Sequence, residues 1–165
     1  LYRVFGEYPS AYIYKYKGTL ELLLSGAKLI ENLNKIGINK GDKIRNQIDF
    51  PKWIWEQKSY QRLCVRGLVD TDGGLYFHNH QINGIKYKNL GLCFTSWSRP
   101  LIKSVGTVLK SDSIKFSIDN NQRVYIYSLV EIKKYFRLFG SSNPKILDKL
   151  DSYLSKSIKI GKRAV

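Results

Sequence analysis

Leu63-Cys64-Val65-Arg66-Gly67-Leu68-Val69-Asp70-Thr71-Asp72-Gly73-Gly74 is the stretch on which the fold turns. It reads as the last turns of a helix that stops at two glycines and feeds a strand. Glycine after the last periodic residue is the expected stop, because it enters the left-handed region without penalty. Two carboxylates occupy that final turn, where the helix end carries partial negative charge. Asp70 and Asp72 are therefore disfavoured there by a few tenths to about 1 kcal/mol each. A cation reverses the sign of that effect. Gly67 and Thr71, four apart, share one helix face and would let a second helix approach closely. A dry helix pair ending in carboxylates is a way to hold metal against a phosphate backbone.

The lead-in to this helix is Gly37-Ile38, Gly41-Asp42-Lys43-Ile44, Asn46-Gln47, Phe50-Pro51-Lys52-Trp53-Ile54 and Tyr60. Together with Val65 to Gly73 it resembles the LAGLIDADG homing endonucleases. Gly67, Leu68, Asp70, Asp72 and Gly73 are identical to the motif and Val65 and Val69 are conservative. Arg66 and Thr71 depart from its two alanines. The resemblance covers nearly the whole chain.

Bulk properties bound the rest. At 165 residues the chain can bury one real core. There are 28 Lys and Arg against 13 Asp and Glu, a net charge of +15. That favours nucleic acid as partner, with an anionic membrane second. The basic residues are spread over strands and loops rather than gathered on one amphipathic helix, which weakens the membrane reading. No apolar run approaches the roughly 18 residues that span a bilayer, and no signal peptide is visible. An intracellular, non-secreted protein is expected. Cys64 and Cys93 are too few and too unpatterned for a disulfide framework or a zinc site. The chain begins with Leu rather than Met, as a piece of a longer product would.

Two strands, 11–17 and 19–24, turn at Gly18, and a helix over 27–36 closes at Gly37. A polar connection precedes the motif helix, about 60–72, for which Ser59 is the expected N-cap. Strands over 75–81 and 86–96 join at Asn83-Gly84, a strong hairpin signal. Leu90, Leu92 and Phe94 are the core face of the second strand. Ser98 and Pro100 open a helix to about 109. A hairpin over 114–118 and 124–127 turns at Asp119-Asn120-Asn121. Helices over 129–139 and 145–155 follow, and the basic tail 156–165 is expected to be disordered.

Residues 22–37 align without gaps to 125–140, an internal repeat. The fold class is therefore α+β. By the resemblance, 57–155 is a complete αββαββα unit with a curved antiparallel DNA-binding saddle. Residues 1–56 are a partial first unit (ββα plus linker) lacking its own motif helix.

The resemblance implies that Asp72 is a catalytic metal ligand binding Mg2+, with the Thr71 carbonyl as a further ligand. Carboxylate oxygens are what magnesium prefers, and paired ions serve phosphodiester cleavage. Asp70, about 200° around the helix from Asp72, cannot serve the same site equally. It is expected at the helix interface with Gly67 and Thr71. An EF-hand is excluded: counting from Asp70, position six is Leu75 and position twelve Gln81, where Gly and Glu are needed. Lys43 resembles the family's active-site lysine, which polarises the attacking water or neutralises developing charge. Lys145 is a weaker counterpart, one place out of register. One motif supplies one Asp, so a second motif helix must come from a homodimer partner or an upstream repeat.

His78-Asn79-His80 echoes the HNH nucleases, but those draw their residues from a different fold, and no further zinc ligand stands at suitable spacing. A DNA-facing strand edge is the better reading. The candidate DNA-binding face is Tyr76, His78, His80, Lys86, Lys88, Asn89, Lys115, Ser117, Arg123, Tyr125 and Tyr127. The expectation is a magnesium-dependent, site-specific double-stranded DNA endonuclease, or its C-terminal part. The rivals are a nucleic-acid-binding module without cleavage (an RNA maturase or transcription regulator) and an inactive remnant. Origin in an intron, an intein or a free-standing gene stays open, and no splicing residues end the chain.

Overall fold

The computed structural model describes residues 2–16 and 18–161, and the side chains of all of these except 80, 82, 85–87 and 156–161. The chain divides into two units, Leu1–Gly41 and Asp42–Val165.

The first unit holds helix α1 (Tyr2–Phe5), strands β1 (Ser10–Tyr14) and β2 (Thr19–Leu23), and helix α2 (Ala27–Lys35). β1 and β2 form an antiparallel hairpin, with Tyr14 opposite Thr19 and Gly18 at φ +57°. Every residue of both strands is exposed. The strand register does not follow the internal repeat. Leu22 pairs with Ala11, whereas Tyr125, its aligned counterpart, pairs with Ser117, which aligns with Tyr14. Asn120 and Asn121, both at positive φ, lie in the later turn between the paired Asp119 and Arg123, and a tight turn of this kind sets strand register.

In the second unit a 3-10 turn (Lys52–Glu56) leads to α3 (Lys58–Asp72). Then come β3 (Gly73–Ile82), β4 (Ile85–Thr95), α4 (Arg99–Ser111), β5 (Ser117–Asp119), β6 (Arg123–Ile126), α5 (Leu129–Leu138) and α6 (Pro144–Gly161). The four strands form one antiparallel sheet in the order β3-β4-β6-β5. The fold class is α+β. Strand alternation puts Leu75, Leu92 and Ile126 side by side on one face, with Phe94 against Val124. All five are buried, with Val65 and Val69 of α3, Ile102, Val105 and Val108 of α4, and Ile132 and Tyr135 of α5. Each such side chain contributes about 1.5–3 kcal/mol by leaving water. The helices thus cover one face of the sheet.

Local details depart from the sequence reading. α3 starts at Lys58 with Gln57 at the N-cap, because the preceding turn, packed through Trp53 against Tyr60, sets the chain direction two residues earlier. Ser59 is inside the helix. Gly73 ends α3 in extended conformation (φ −120°, ψ −168°), not left-handed. Its need for glycine is steric: a Cβ there would lie 2.6 Å from the Cys93 carbonyl oxygen and 2.8 Å from that of Val69. Ser98 sits at the N-cap of α4, but its hydroxyl donates to the Ile48 carbonyl instead of capping. β5 is shorter than expected because residues 113 and 114 finish α4: their N–H groups donate to the Lys110 and Leu109 carbonyls. α6 continues through Gly161, into the stretch expected to be disordered; residues 162–165 lie outside the described residues.

Candidate active site and nucleic-acid interface

α3 delivers Asp70 and Asp72 to its C-terminal end, and the chain sends them to different partners. Asp70 Oδ1 accepts a hydrogen bond from the Ser141 hydroxyl at 2.5 Å. Its Oδ2 accepts from the Ser142 backbone N–H at 2.7 Å and hydroxyl at 3.0 Å. Asn143 Nδ2 donates to the Asp70 carbonyl at 2.8 Å, and the Asn143 carbonyl receives the first turn of α6. Asp70 therefore ties the end of α3 to the α5–α6 connection. Lys145 lies in that first turn, its N–H donating to Asn143 Oδ1.

Asp72 is free of that network. Its Oδ2 lies 3.1 Å from Lys43 Nζ, with side chains 43% and 54% exposed respectively. The lysine is the cation that offsets the unfavourable helix-end charge. Lys43 is held by a loop with its own architecture. Asp42 Oδ1 accepts from the N–H groups of Ile44 at 2.7 Å and Arg45 at 3.0 Å. Those backbone bonds, Arg45's foremost, hold the Asp42 carboxyl below its ordinary pKa. Gln47, at φ +44°, donates from Nε2 to the Ile44 carbonyl (2.6 Å) and the Trp97 carbonyl (3.2 Å). Its Oε1 accepts from the Arg99 N–H at 3.1 Å. Asp49 accepts from the Ser104 hydroxyl at 2.6 Å. The loop is thus fastened to the β4–α4 connection and to α4. Sequence reasoning assigned no role to Gln47, Asp49 or Ser104. The one local signal was Asp42, whose side chain favours this kind of turn.

Thr71 is exposed, and its hydroxyl bonds back to the Gly67 and Leu68 carbonyls. Gly67 is exposed, with no atom within 4 Å of where a Cβ would stand. Among the described residues no group of three or more His, Cys, Asp or Glu could hold a metal. A single open carboxylate suits magnesium only where waters, phosphate oxygens or a second carboxylate complete the shell. Burial pushes the Cys64 thiol up to about 11 and raises that of Cys93, which disfavours the reactive thiolate at both.

The sheet face away from the helices carries Tyr76, His78, Asn89, Ser117, Arg123 and Tyr125. The register places Tyr76 opposite Gly91, His78 opposite Asn89, Cys93 opposite Tyr125, and Tyr125 opposite Ser117. Tyr127 follows β6 and stacks on Tyr125, centroids 5.4 Å apart at 17°. The ring of Tyr76 meets Tyr125 edge-on at 6.0 Å, and His78 meets Tyr127 at 6.4 Å. Arg123 is exposed and bonded through its side chain to Tyr125, which raises the guanidinium pKa.

Lys88 is not on this face. It pairs with Asn79, between the outward positions, and its Nζ sits 4.4 Å from the centre of the Phe77 ring on the helix side. Period-two alternation requires this, since Lys88 shares parity with Leu90 and not with Asn89. Lys86 pairs with Gln81; its side chain and that of His80 lie outside the described residues. Lys115 precedes β5, its N–H donating to Glu131.

Compared with models of known protein families and with curated proteins, the chain matches none. No helix among the described residues is long and apolar enough to cross a membrane.

Proposed function

We propose that the chain is a LAGLIDADG-type, magnesium-dependent, site-specific endonuclease of double-stranded DNA, or the C-terminal portion of one. In this reading residues 57–155 are an αββαββα unit and residues 1–56 part of another. The observation that carries it is the Asp72–Lys43 pair. Two residues nominated by the resemblance, far apart in sequence, meet at the α3–β3 junction. Asp72 would hold the ion, and the Thr71 carbonyl would be a further ligand. The ion, when bound, supplies Lewis-acid stabilisation of the leaving oxygen and activation of water. The Lys43 ammonium offsets negative charge developing on the phosphate. Tyr76, His78, Asn89, Ser117, Arg123, Tyr125 and Tyr127 meet the duplex, with a net charge of +15 drawing it in. The second acidic helix comes from another copy of the chain or from upstream sequence, and the protein works inside the cell.

One observation favours binding without cleavage by this chain alone, as a maturase or regulator would bind: among the described residues no group of three or more His, Cys, Asp or Glu could hold a metal. The test is selection of duplexes from a random-sequence pool, followed by cleavage assays with magnesium. Cleavage that disappears in Asp72→Asn while binding persists supports the endonuclease. Binding without cleavage in the wild type supports the module in its regulator form, and no duplex binding overturns the endonuclease and the regulator and leaves RNA binding as the form to assay.

A further inference from the structure

Gly91 sits in the middle of β4, a central strand, where glycine weakens the sheet unless something approaches closely. Here the Tyr76 side chain approaches. A Cβ on Gly91 would lie 2.4 Å from Tyr76 Cζ and 2.6 Å from its hydroxyl oxygen. The tyrosine therefore lies across β4 in a notch made by the missing side chain, reaching from β3 to the Tyr125 and Tyr127 rings at β6. Its hydroxyl is buried, facing Tyr127 across a separation or angle outside ordinary hydrogen-bond geometry. Tyr127, at the outer end of the stack, is 51% exposed, with His78 beside it. The result is an apolar, preassembled ring cluster on a face otherwise lined by His, Asn, Ser and Arg.

We propose that this cluster is a base-reading subsite that recognises the 5-methyl group of thymine in the major groove. Tyr127 is the contacting ring, and Gly91 and Tyr76 are positioning residues. The inference rests on the duplex-DNA reading above. Polar side chains on this face can serve hydrogen-bonding base edges. An aromatic face offers apolar contact, and in the major groove the apolar feature is the thymine methyl. A ring fixed by its neighbours loses little freedom on binding.

The experiment is equilibrium binding to an alternating dA·dT duplex, the same duplex with dU replacing dT, and a single strand, at fixed salt. The wild type should prefer dT over dU by about fourfold, the factor for burying one methyl group. Tyr127→Ala should abolish that preference while leaving the salt dependence intact. Gly91→Ala should abolish it by turning the Tyr76 ring out of its notch, without loss of fold stability. In a Tyr76→Ala background Gly91→Ala should have no further effect on the preference, because the colliding ring is gone. Equal affinity for dT and dU duplexes overturns the subsite. Tighter binding to the single strand also overturns it, in favour of stacking on unpaired bases. Failure to bind any duplex overturns the duplex-DNA reading itself.

Discussion

Lys43 Nζ and Asp72 Oδ2 lie 3.1 Å apart, 29 residues apart in sequence. Nothing in α3 itself requires this pairing, since the lysine is carried by the loop that Gln47, Asp49 and Ser98 fasten to the β4–α4 connection and to α4. The catalytic geometry we propose therefore depends on a loop anchored to the body of the second unit, not on a flexible side chain finding a helix end.

The pair itself adds little to stability. Both side chains are about half exposed, so solvent screens the attraction and the coupling is below about 1 kcal/mol. Lys43→Ala should leave the urea midpoint nearly unchanged and eliminate strand cleavage. A large loss of stability would mean that the loop, rather than the charge, had been damaged.

Gln47→Ala tests the loop directly. It removes contacts to the Ile44 and Trp97 carbonyls and the Arg99 N–H, leaving those groups to water. About 1–2 kcal/mol of destabilisation is expected. Amide exchange should speed up over residues 43–48 while α5 stays protected. Unchanged exchange in the loop would show that the carboxamide is not its anchor.

Two glycines of the motif should respond oppositely to alanine. At Gly73 the new Cβ meets two backbone carbonyls that cannot move aside, and a loss of about 1–3 kcal/mol is expected. At Gly67, exposed in the interior of α3, the methyl meets nothing and the helix gains about 0.5–1 kcal/mol. Thermal unfolding at low protein concentration measures both. A destabilised Gly67→Ala would reveal a contact on that face.

The sequence carried the alternation and the turns, and with them most of the second unit. Leu90, Leu92 and Phe94 fall on the core face, and Asn83-Gly84 and Asn120-Asn121 turn with positive φ. Parity puts Lys88 on the side of Leu90, and the lysine keeps its charge there by lying over the Phe77 ring. What sequence could not show was tertiary demand on individual polar groups. Ser98 serves Ile48 instead of its own helix, and Gly73 is excluded from having a side chain by Cys93, twenty residues on. Such constraints exist only once the strands are paired.

Asp112 gives the sharpest pH test of the second unit. Its side chain is 2% exposed, at the C-terminal end of α4, and it joins that end to the start of α3. Arg62 grips both oxygens, Nη2 to Oδ1 at 2.7 Å and Nε to Oδ2 at 3.0 Å, and Lys58 Nζ lies 2.8 Å from Oδ1. The Arg62 hydrogen bonds, chiefly, hold the carboxyl below its ordinary value of 3.8 against the opposing effect of burial. A pKa depressed in the folded state means the unfolded chain binds the proton more readily. The stabilisation is therefore complete above the unfolded pKa, about 3.9, and is lost as pH falls through the folded value. Asp112→Asn should cost about 1–3 kcal/mol at pH 7, because Arg62 and Lys58 are partly exposed and can rehydrate. Urea titrations of both proteins from pH 7 downward should show that difference holding to about pH 4 and shrinking below it. A difference that stays constant through the acid range would show that the residue acts through packing and not through its charge.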